Sequence, residues 1–164
     1  MTGYRIRPFI DSDRATLGAL SHALQEAERV MEPDRAIWPE TAGGYADEII
    51  SEVAAGAGAI FLAESTAGDA IGYATCLRKY EDDRIIAESA RSYLYVSDLY
   101  VADAWRGKGI AGALIEAAAA HGRALNLDQM RIGVLAANAG ARRAYAKVGF
   151  EDYEMFLRKR LSDS

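Results

Sequence analysis

A short glycine-rich segment, residues 106–112, carries the clearest chemical signal in the chain. It lies between a run of strand-forming residues and a helical pattern. The first N–H groups of a helix have no partner within the helix, and glycines let an anion approach the backbone closely. The segment therefore predicts a phosphate-binding turn, formed by Arg106, Gly107, Lys108, Gly109, Ile110, Ala111 and Gly112.

The glycine spacing by itself leaves the ligand open. Gly107, Gly109 and Gly112 match the G-x-G-x-x-G fingerprint of dinucleotide-binding proteins. However, the turn comes about two-thirds of the way along a short chain, and only one strand-helix-strand unit follows it. A dinucleotide-dependent oxidoreductase is therefore the least favoured interpretation. A Walker A loop is excluded because Gly109 follows Lys108 where that motif requires Ser or Thr.

Two polar side chains further along the chain can contact one ligand. Asn138 and Tyr145 are seven residues apart, about two helical turns, so they lie on one helix face and can both reach a single elongated molecule. The remaining reactive side chains form no such set. His22 and His121 lack partners at metal-ligand or catalytic-triad spacing, and Cys76 is the only cysteine. We therefore expect no metal site and no intrachain disulfide.

These residues require a mixed α/β scaffold. Apolar or alternating runs of strand length predict strands at 5–7, 59–63, 70–77, 93–101, 130–135 and 153–157. Apolar residues at helical spacing predict four helices, the first with Leu17, Leu20 and Leu24, the second with Tyr45, Ile49 and Val53, and the others at about 110–125 and 139–147. The predicted element order is therefore β-α-α-β-β-β-α-β-α-β.

Length and composition indicate one soluble domain over residues 1–164. The chain is 51% apolar and has a net charge of −5, which favours a self-sufficient core and argues against a nucleic-acid or anionic-membrane binder. No apolar signal core follows the first residues, and no stretch approaches the roughly 20 apolar residues of a membrane span. Together with the single cysteine, these features predict a cytoplasmic protein.

Two motifs in the second half of the chain resemble those of the GNAT superfamily of acetyl-CoA-dependent N-acetyltransferases. The pyrophosphate loop of that family, Q/R-x-x-G-x-G/A, is matched by Arg106, Gly109 and Ala111. Its second cofactor motif, N-x-x-A-x-x-x-Y-x-x-x-G-F, is matched by Asn138, Ala141, Tyr145, Gly149 and Phe150. The resemblance is clear from about residue 93 to residue 156 and weak before that.

The resemblance implies the fold, the cofactor and part of the site. It implies a mostly antiparallel central sheet flanked by helices, with acetyl-CoA as the co-substrate. Leu99, Tyr100 and Val101 match the strand that borders the pantetheine arm, and a main-chain N–H near Leu99 is then the oxyanion donor. It also implies that the pyrophosphate of the cofactor binds the glycine-rich segment, and that Asn138 and Tyr145 of the second motif contact the rest of the cofactor. Homodimers are common in the family, but no surface in the sequence identifies an interface.

The implied reaction is direct attack of a primary amine on the thioester in a ternary complex. An alkyl amine with a pKa of about 10.4 is mostly protonated at neutral pH, so a base must first remove a proton. Asp98, near the end of the predicted central strand, is the candidate base. Tyr145 is the candidate general acid, because a phenol with a pKa of about 10 retains its proton. Many relatives have Glu before the corresponding Asp, whereas Ser97 stands here, which leaves a water chain as the alternative base.

The acceptor is less constrained than the cofactor. The leading expectation is a small-molecule amine, such as a polyamine or an amino acid derivative. The alternatives are a protein N-terminus or lysine, and a non-catalytic acyl-CoA-binding module. Residues 1–101 carry 9 basic and 17 acidic side chains, whereas residues 102–164 carry 10 basic and 7 acidic ones. The acidic part suits a cationic amine and the basic part an anionic cofactor, and Met31 and Trp38 are candidates for the acceptor pocket.

Overall fold

Five strands form one sheet in the part of the chain that the computed structural model describes, residues 3–36 and 43–161. The strands are β1 (Tyr4–Pro8), β2 (Ala59–Ser65), β3 (Ala70–Tyr80), β4 (Ser92–Val101) and β5 (Met130–Ile132), in that spatial order. Neighbouring strands are antiparallel except β4 and β5, which are parallel. The helices are α1 (Arg14–Met31), α2 (Gly43–Ala55), α3 (Ile110–Ala124) and α4 (Ala139–Lys147). This arrangement confirms the predicted mixed α/β fold with a mostly antiparallel sheet. Trp38, a candidate for the acceptor pocket, lies outside the described residues.

Helices cover both faces of the sheet. Tyr73 of β3 belongs to a core cluster with Leu17 of α1 and Ile49 of α2. The next residue, Ala74, belongs to a second cluster with Leu114 of α3. Alternate residues of a strand point to opposite faces, so β3 is buried on both sides and its sequence is a near-continuous apolar run. Within the described ranges, no helix combines the length and the apolarity needed to cross a bilayer.

The prediction of a last strand over residues 153–157 is wrong. After α4 the chain contains no helix or strand up to its last described residue, and its apolar side chains are exposed, with Tyr153 at 63% and Leu157 at 89%. An alternating pattern forms a strand only where a neighbouring strand and a core face cover it. The neighbouring edge strand, β5, has only three residues. Instead, the segment lies beside the turn that follows α1, where Arg158 forms an ion pair with Asp34 at 2.6 Å.

Strand β4 is paired unevenly, and this shapes the site. It pairs with β3 along its length, but β5 pairs with it only over three residues that end at Val96. In the register with β3, Thr75 faces Asp98 and Cys76 faces Val96. Ser97 is therefore an extra residue in β4, a β-bulge. From Ser97 onward, the edge of β4 that faces away from β3 has no strand partner in the described ranges, and we call it the open edge.

Candidate active site

The open edge presents backbone groups of the residues expected to border the cofactor. The Asp98 N–H donates to a β3 hydroxyl at 3.1 Å, and the Ala102 N–H donates to a β3 carbonyl at 2.9 Å, so both point toward β3. Successive residues of a strand direct their backbone groups to opposite edges. The N–H and carbonyl groups of Leu99 and Val101 therefore face the open edge, whereas those of Tyr100 face β3.

The glycine-rich segment forms the turn between β4 and α3. Gly107 and Gly109 have backbone φ angles of +74° and +81°, in the left-handed region that favours glycine. Gly109 is the N-cap residue of α3. A Cβ on Gly107 would have no other residue of the described ranges within 4 Å, apart from its two chain neighbours. The turn therefore leaves space beside the unpaired N–H groups at the start of a 15-residue helix, an arrangement that suits a phosphate.

Local contacts hold the two cations of this turn. Arg106 Nε donates to the Val101 carbonyl at 3.0 Å, and the Arg106 guanidinium forms an ion pair with Asp103 at 2.8 Å. The Lys108 ammonium lies 4.5 Å from the centroid of the Trp105 ring, a cation–π contact. Arg106 therefore connects the turn to the end of the open edge, and both positive charges stay beside the helix N-terminus.

Three of the residues expected to bind cofactor also have packing roles. The Tyr100 side chain packs against the core cluster between the sheet and α1 and α2. The Ile110 side chain is 1% exposed, so only its backbone can face a ligand. A Cβ on Gly112 would lie 3.4 Å from Val148 Cγ1, so Gly112 faces the residue that ends α4. These contacts fix the scaffold around the turn.

Asn138 and Tyr145 are both carried by α4. Asn138 Oδ1 accepts the Ala141 N–H at 3.0 Å, so Asn138 is the N-cap of the helix and its amide nitrogen supplies the donors for a ligand. The Tyr145 ring lies 5.8 Å from the Phe150 ring at an interplanar angle of 59°. Burial raises the pKa of Tyr145 to about 12, and the Glu28 carboxylate acts in the same direction. The phenol is therefore neutral at physiological pH.

Asp98 projects from β4 toward α1 and α2. Its cross-strand partner is Thr75, which shares its face of β3 with Tyr73 of the α1 and α2 core cluster. Burial raises the pKa of Asp98 from 3.8 to about 6; the Tyr73 hydroxyl opposes this shift, whereas Glu28 and Glu52 add to it. At pH 7 the carboxyl group is mostly deprotonated and can accept a proton.

Three residues near Asp98 were not predicted to belong to the site: Tyr73, Tyr45 and Glu28. Tyr73 is fully buried, and its hydroxyl interacts with Asp98: the hydroxyl lowers the pKa of Asp98, while burial and the Asp98 carboxylate raise the pKa of Tyr73. Burial and the Asp98 charge raise the pKa of Tyr45. Glu28 acts on Asp98 and Tyr145 alike. No local spacing connects these positions, because α1, α2 and β3 meet only in the folded chain.

Comparisons with known proteins identify the fold and the family. The chain matches the family described as Acetyltransferase (GNAT) family over residues 19–150, and no curated protein sequence matches it. A tetramutant of the BH1408 protein from Bacillus halodurans has a TM-score of 0.79 and 19% identity, over 96% of this chain and 99% of that chain.

Two acetyltransferase structures are also similar. AAC(6')-Iy, in complex with the bisubstrate analog CoA-S-monomethyl-acetylneamine, has a TM-score of 0.69 and 21% identity, over 96% of this chain and 99% of that one. The aminoglycoside antibiotic 6'-N-acetyltransferase AAC(6')-IG from Acinetobacter haemolyticus has a TM-score of 0.72 and 17% identity, over 98% and 99%. At these identities the structural matches show the fold alone.

The family match includes both motifs on which the sequence resemblance rests. The turn between β4 and α3 and the helix that carries Asn138 and Tyr145 both fall within residues 19–150. The mixed sheet agrees with the folds of the similar structures. The chain is therefore an acyl-CoA-dependent acetyltransferase, and it belongs to the GNAT family.

Proposed function

We propose that the chain transfers an acetyl group from acetyl-CoA to a primary amine of a small molecule, by direct attack in a ternary complex. The observation that carries this proposal is the geometry of β4 after its bulge. Asp98 directs a carboxylate toward α1 and α2, and the next residue, Leu99, directs an N–H to the open edge. A base and an oxyanion donor thus come from adjacent residues of one strand.

The residues present fit coenzyme A. Backbone N–H groups of the turn, residues 106–112, and its two cations would hold the pyrophosphate. The backbone groups of Leu99 and Val101 would bond to the peptide-like pantetheine arm, and Asn138 would donate to it from its amide nitrogen. When bound, acetyl-CoA supplies a thioester whose acetyl group is activated for attack by an amine.

Asp98 is the proposed general base. A protonated alkyl amine has a pKa of about 10.4 and cannot attack until it loses a proton. A carboxylate whose pKa is raised to about 6 is closer in basicity to the amine than an ordinary aspartate, yet it is still deprotonated at pH 7. Asp98 therefore accepts the proton, directly or through one water molecule.

Tyr145 is the proposed general acid. Because its pKa is about 12, the phenol keeps its proton over the working pH range and donates it to the departing sulfur. The Leu99 N–H donates to the carbonyl oxygen and stabilises the negative charge that develops there.

Substituting Gly109 tests the turn. In Gly109→Ala the alanine must adopt the left-handed backbone conformation of Gly109, which costs about 1–2 kcal/mol. We therefore expect the turn to distort and acetyl-CoA binding to weaken by about tenfold. Isothermal titration calorimetry measures this loss. Gly68→Ala is the matched control, because Gly68 has a φ of +91° and open space in the turn between β2 and β3. Equal affinity losses in both variants would argue against binding at the glycine-rich turn.

The acidic surroundings of Asp98 favour a cationic acceptor. Glu28 and Glu52 both act electrostatically on Asp98, so a positively charged amine is attracted to this side of the sheet. We expect the KM of a cationic acceptor to rise about threefold between low and high ionic strength, because salt screens this attraction. Glu28→Gln should flatten that response, whereas Asp69→Asn, on the exposed turn between β2 and β3, should not. A KM that is independent of salt in the unmodified chain would show that electrostatic attraction does not contribute to acceptor binding.

A panel of amines tests the proposed function. The intact chain is incubated with acetyl-CoA and polyamines, amino acid derivatives, aminoglycosides, or peptides with a free N-terminus or a lysine, and thiol release is measured. Aminoglycosides are included because one similar structure is an aminoglycoside antibiotic 6'-N-acetyltransferase. Turnover with small amines supports the proposal. Turnover with peptides alone indicates a protein acetyltransferase, and acetyl-CoA binding without any turnover indicates a non-catalytic module.

A further inference from the structure

One buried hydroxyl in β3 contacts both residues of the β4 bulge. Thr75 is 0% exposed. Its Oγ1 accepts the Asp98 N–H at 3.1 Å and lies 2.7 Å from Ser97 Oγ, a hydrogen bond between the two hydroxyl groups. A hydroxyl can accept one hydrogen bond while it takes part in another. The Thr75 side chain is therefore bonded to β4 at the point where the regular register with β3 is interrupted.

The bulge is also where β4 changes its surroundings. The pairing with β5 ends at Val96, one residue before the bulge, and the open edge starts at Ser97. An extra residue bends a strand and increases its local twist, which redirects the side chain and backbone groups that follow. Those groups are the Asp98 carboxyl and the Leu99 N–H. Their directions thus depend on how the bulge is held.

We propose that Thr75 is a positioning residue: its hydroxyl fixes the bulge at Ser97 and Asp98, so that the Asp98 carboxyl and the Leu99 N–H face the same reacting group. This inference rests on the proposed function and adds a residue to its machinery. Threonine suits the position because its β-branched side chain fits a buried strand and its hydroxyl supplies the hydrogen bonds. Valine has nearly the same shape without the hydroxyl, and serine keeps the hydroxyl without the methyl group.

The first test compares Thr75→Val with Thr75→Ser, using the strongest amine of the panel. A displacement of about 1 Å in a catalytic group can lower a rate by as much as about 100-fold, so we expect T75V to lower kcat by at least about tenfold. The acceptor KM and the acetyl-CoA affinity should stay within about threefold of the unmodified chain. T75S should retain a kcat within about threefold. If T75V folds poorly, Thr75→Ala removes the same hydroxyl and takes its place.

The second test needs no turnover. The Asp98 carboxyl carbon is titrated by NMR in the unmodified chain, T75V and T75S, with D98N to assign the signal. The groups that act on Asp98 are Tyr73 in β3, Glu28 in α1 and Glu52 in α2, with Tyr45 in α2 also coupled to it; T75V leaves all of them in place. We expect the Asp98 titration midpoint to move from about 6 in T75V and to stay there in T75S.

The two tests separate failure of this inference from failure of the proposed function. An unchanged Asp98 titration and an unchanged kcat in T75V would overturn the positioning role. So would equal losses in T75V and T75S, because these would indicate packing rather than hydrogen bonding. If the unmodified chain acetylates no amine, the proposed function fails, and the NMR titration still decides whether Thr75 controls Asp98.

Discussion

Asp98→Asn should lower kcat/KM for the acceptor amine by about 100- to 1,000-fold at pH 7, the range expected for loss of a general base. An amide has nearly the shape of a carboxylate but cannot accept the proton of an ammonium group. The unmodified chain should lose activity about tenfold per pH unit below about 6, where the raised pKa of Asp98 makes the carboxyl group protonated. In D98N the inflection near pH 6 should disappear. The kcat/KM of this variant should instead rise about tenfold per pH unit up to the amine pKa of about 10.4, because only amine that has already lost its proton can attack. Both profiles are measured as kcat/KM against pH.

Stability measurements distinguish this result from unfolding. The pKa of Asp98 is raised in the folded chain, so any stability linked to this group is complete below the unfolded pKa of 3.8 and is lost as the pH rises through about 6. At pH 7 the charged, half-buried carboxylate opposes folding, and D98N should melt no lower than the unmodified chain. Asp69→Asn, on an exposed turn, is the control for activity. An inflection near pH 6 that persists in D98N would assign the base to another group or to a water chain.

Tyr145→Phe should lower kcat by about 100-fold, the loss expected when a general acid is removed. The phenylalanine ring keeps the contact with Phe150, whose ring lies 5.8 Å away. Acetyl-CoA affinity should therefore stay within about threefold of the unmodified chain, as measured by calorimetry. Tyr80→Phe is the matched control, because Tyr80 is 60% exposed and lies at the end of β3; this variant should have full activity.

The pH dependence gives Tyr145 a separate test. A general acid works only while it is protonated, and the pKa of Tyr145 is about 12. The alkaline side of the kcat profile should therefore stay flat up to about pH 11 rather than decline near the usual tyrosine value of about 10. A decline near pH 10 that disappears in Y145F would mean that the surroundings do not raise the pKa of the phenol. Full activity in Y145F would assign proton donation to solvent.

The parts of the site with a short-range cause could be predicted from the sequence. The turn requires glycine at Gly107 and Gly109 because both have a left-handed backbone. Asn138 and Tyr145 belong to one helix, so their spacing alone places them together. The helical spacing of Tyr45, Ile49 and Val53 and the apolar run of β3 likewise predicted a helix and a strand that contribute to the core, because burial on the core face follows the periodicity of the pattern.

The parts that depend on register between strands could not be predicted. The bulge at Ser97 and its contact with Thr75 join residues 22 apart, and one extra residue in β4 leaves no mark in the pattern of that strand alone. The side chains around Asp98 come from α1, α2 and β3. The predicted strand at 153–157 failed for the related reason that a pattern cannot show whether a partner strand is long enough to pair with it.

Transfer of a labelled acetyl group tests the central claim most directly. The intact chain is mixed with acetyl-CoA labelled in its acetyl group and with the amine that gives the fastest thiol release, and the products are identified by mass spectrometry. We predict that the label appears in an amide on the nitrogen of the acceptor, at the rate of thiol release, and that both rates fall together in D98N and Y145F. Label in free acetate or on the protein, with the amine unmodified, would contradict direct transfer to a small-molecule amine.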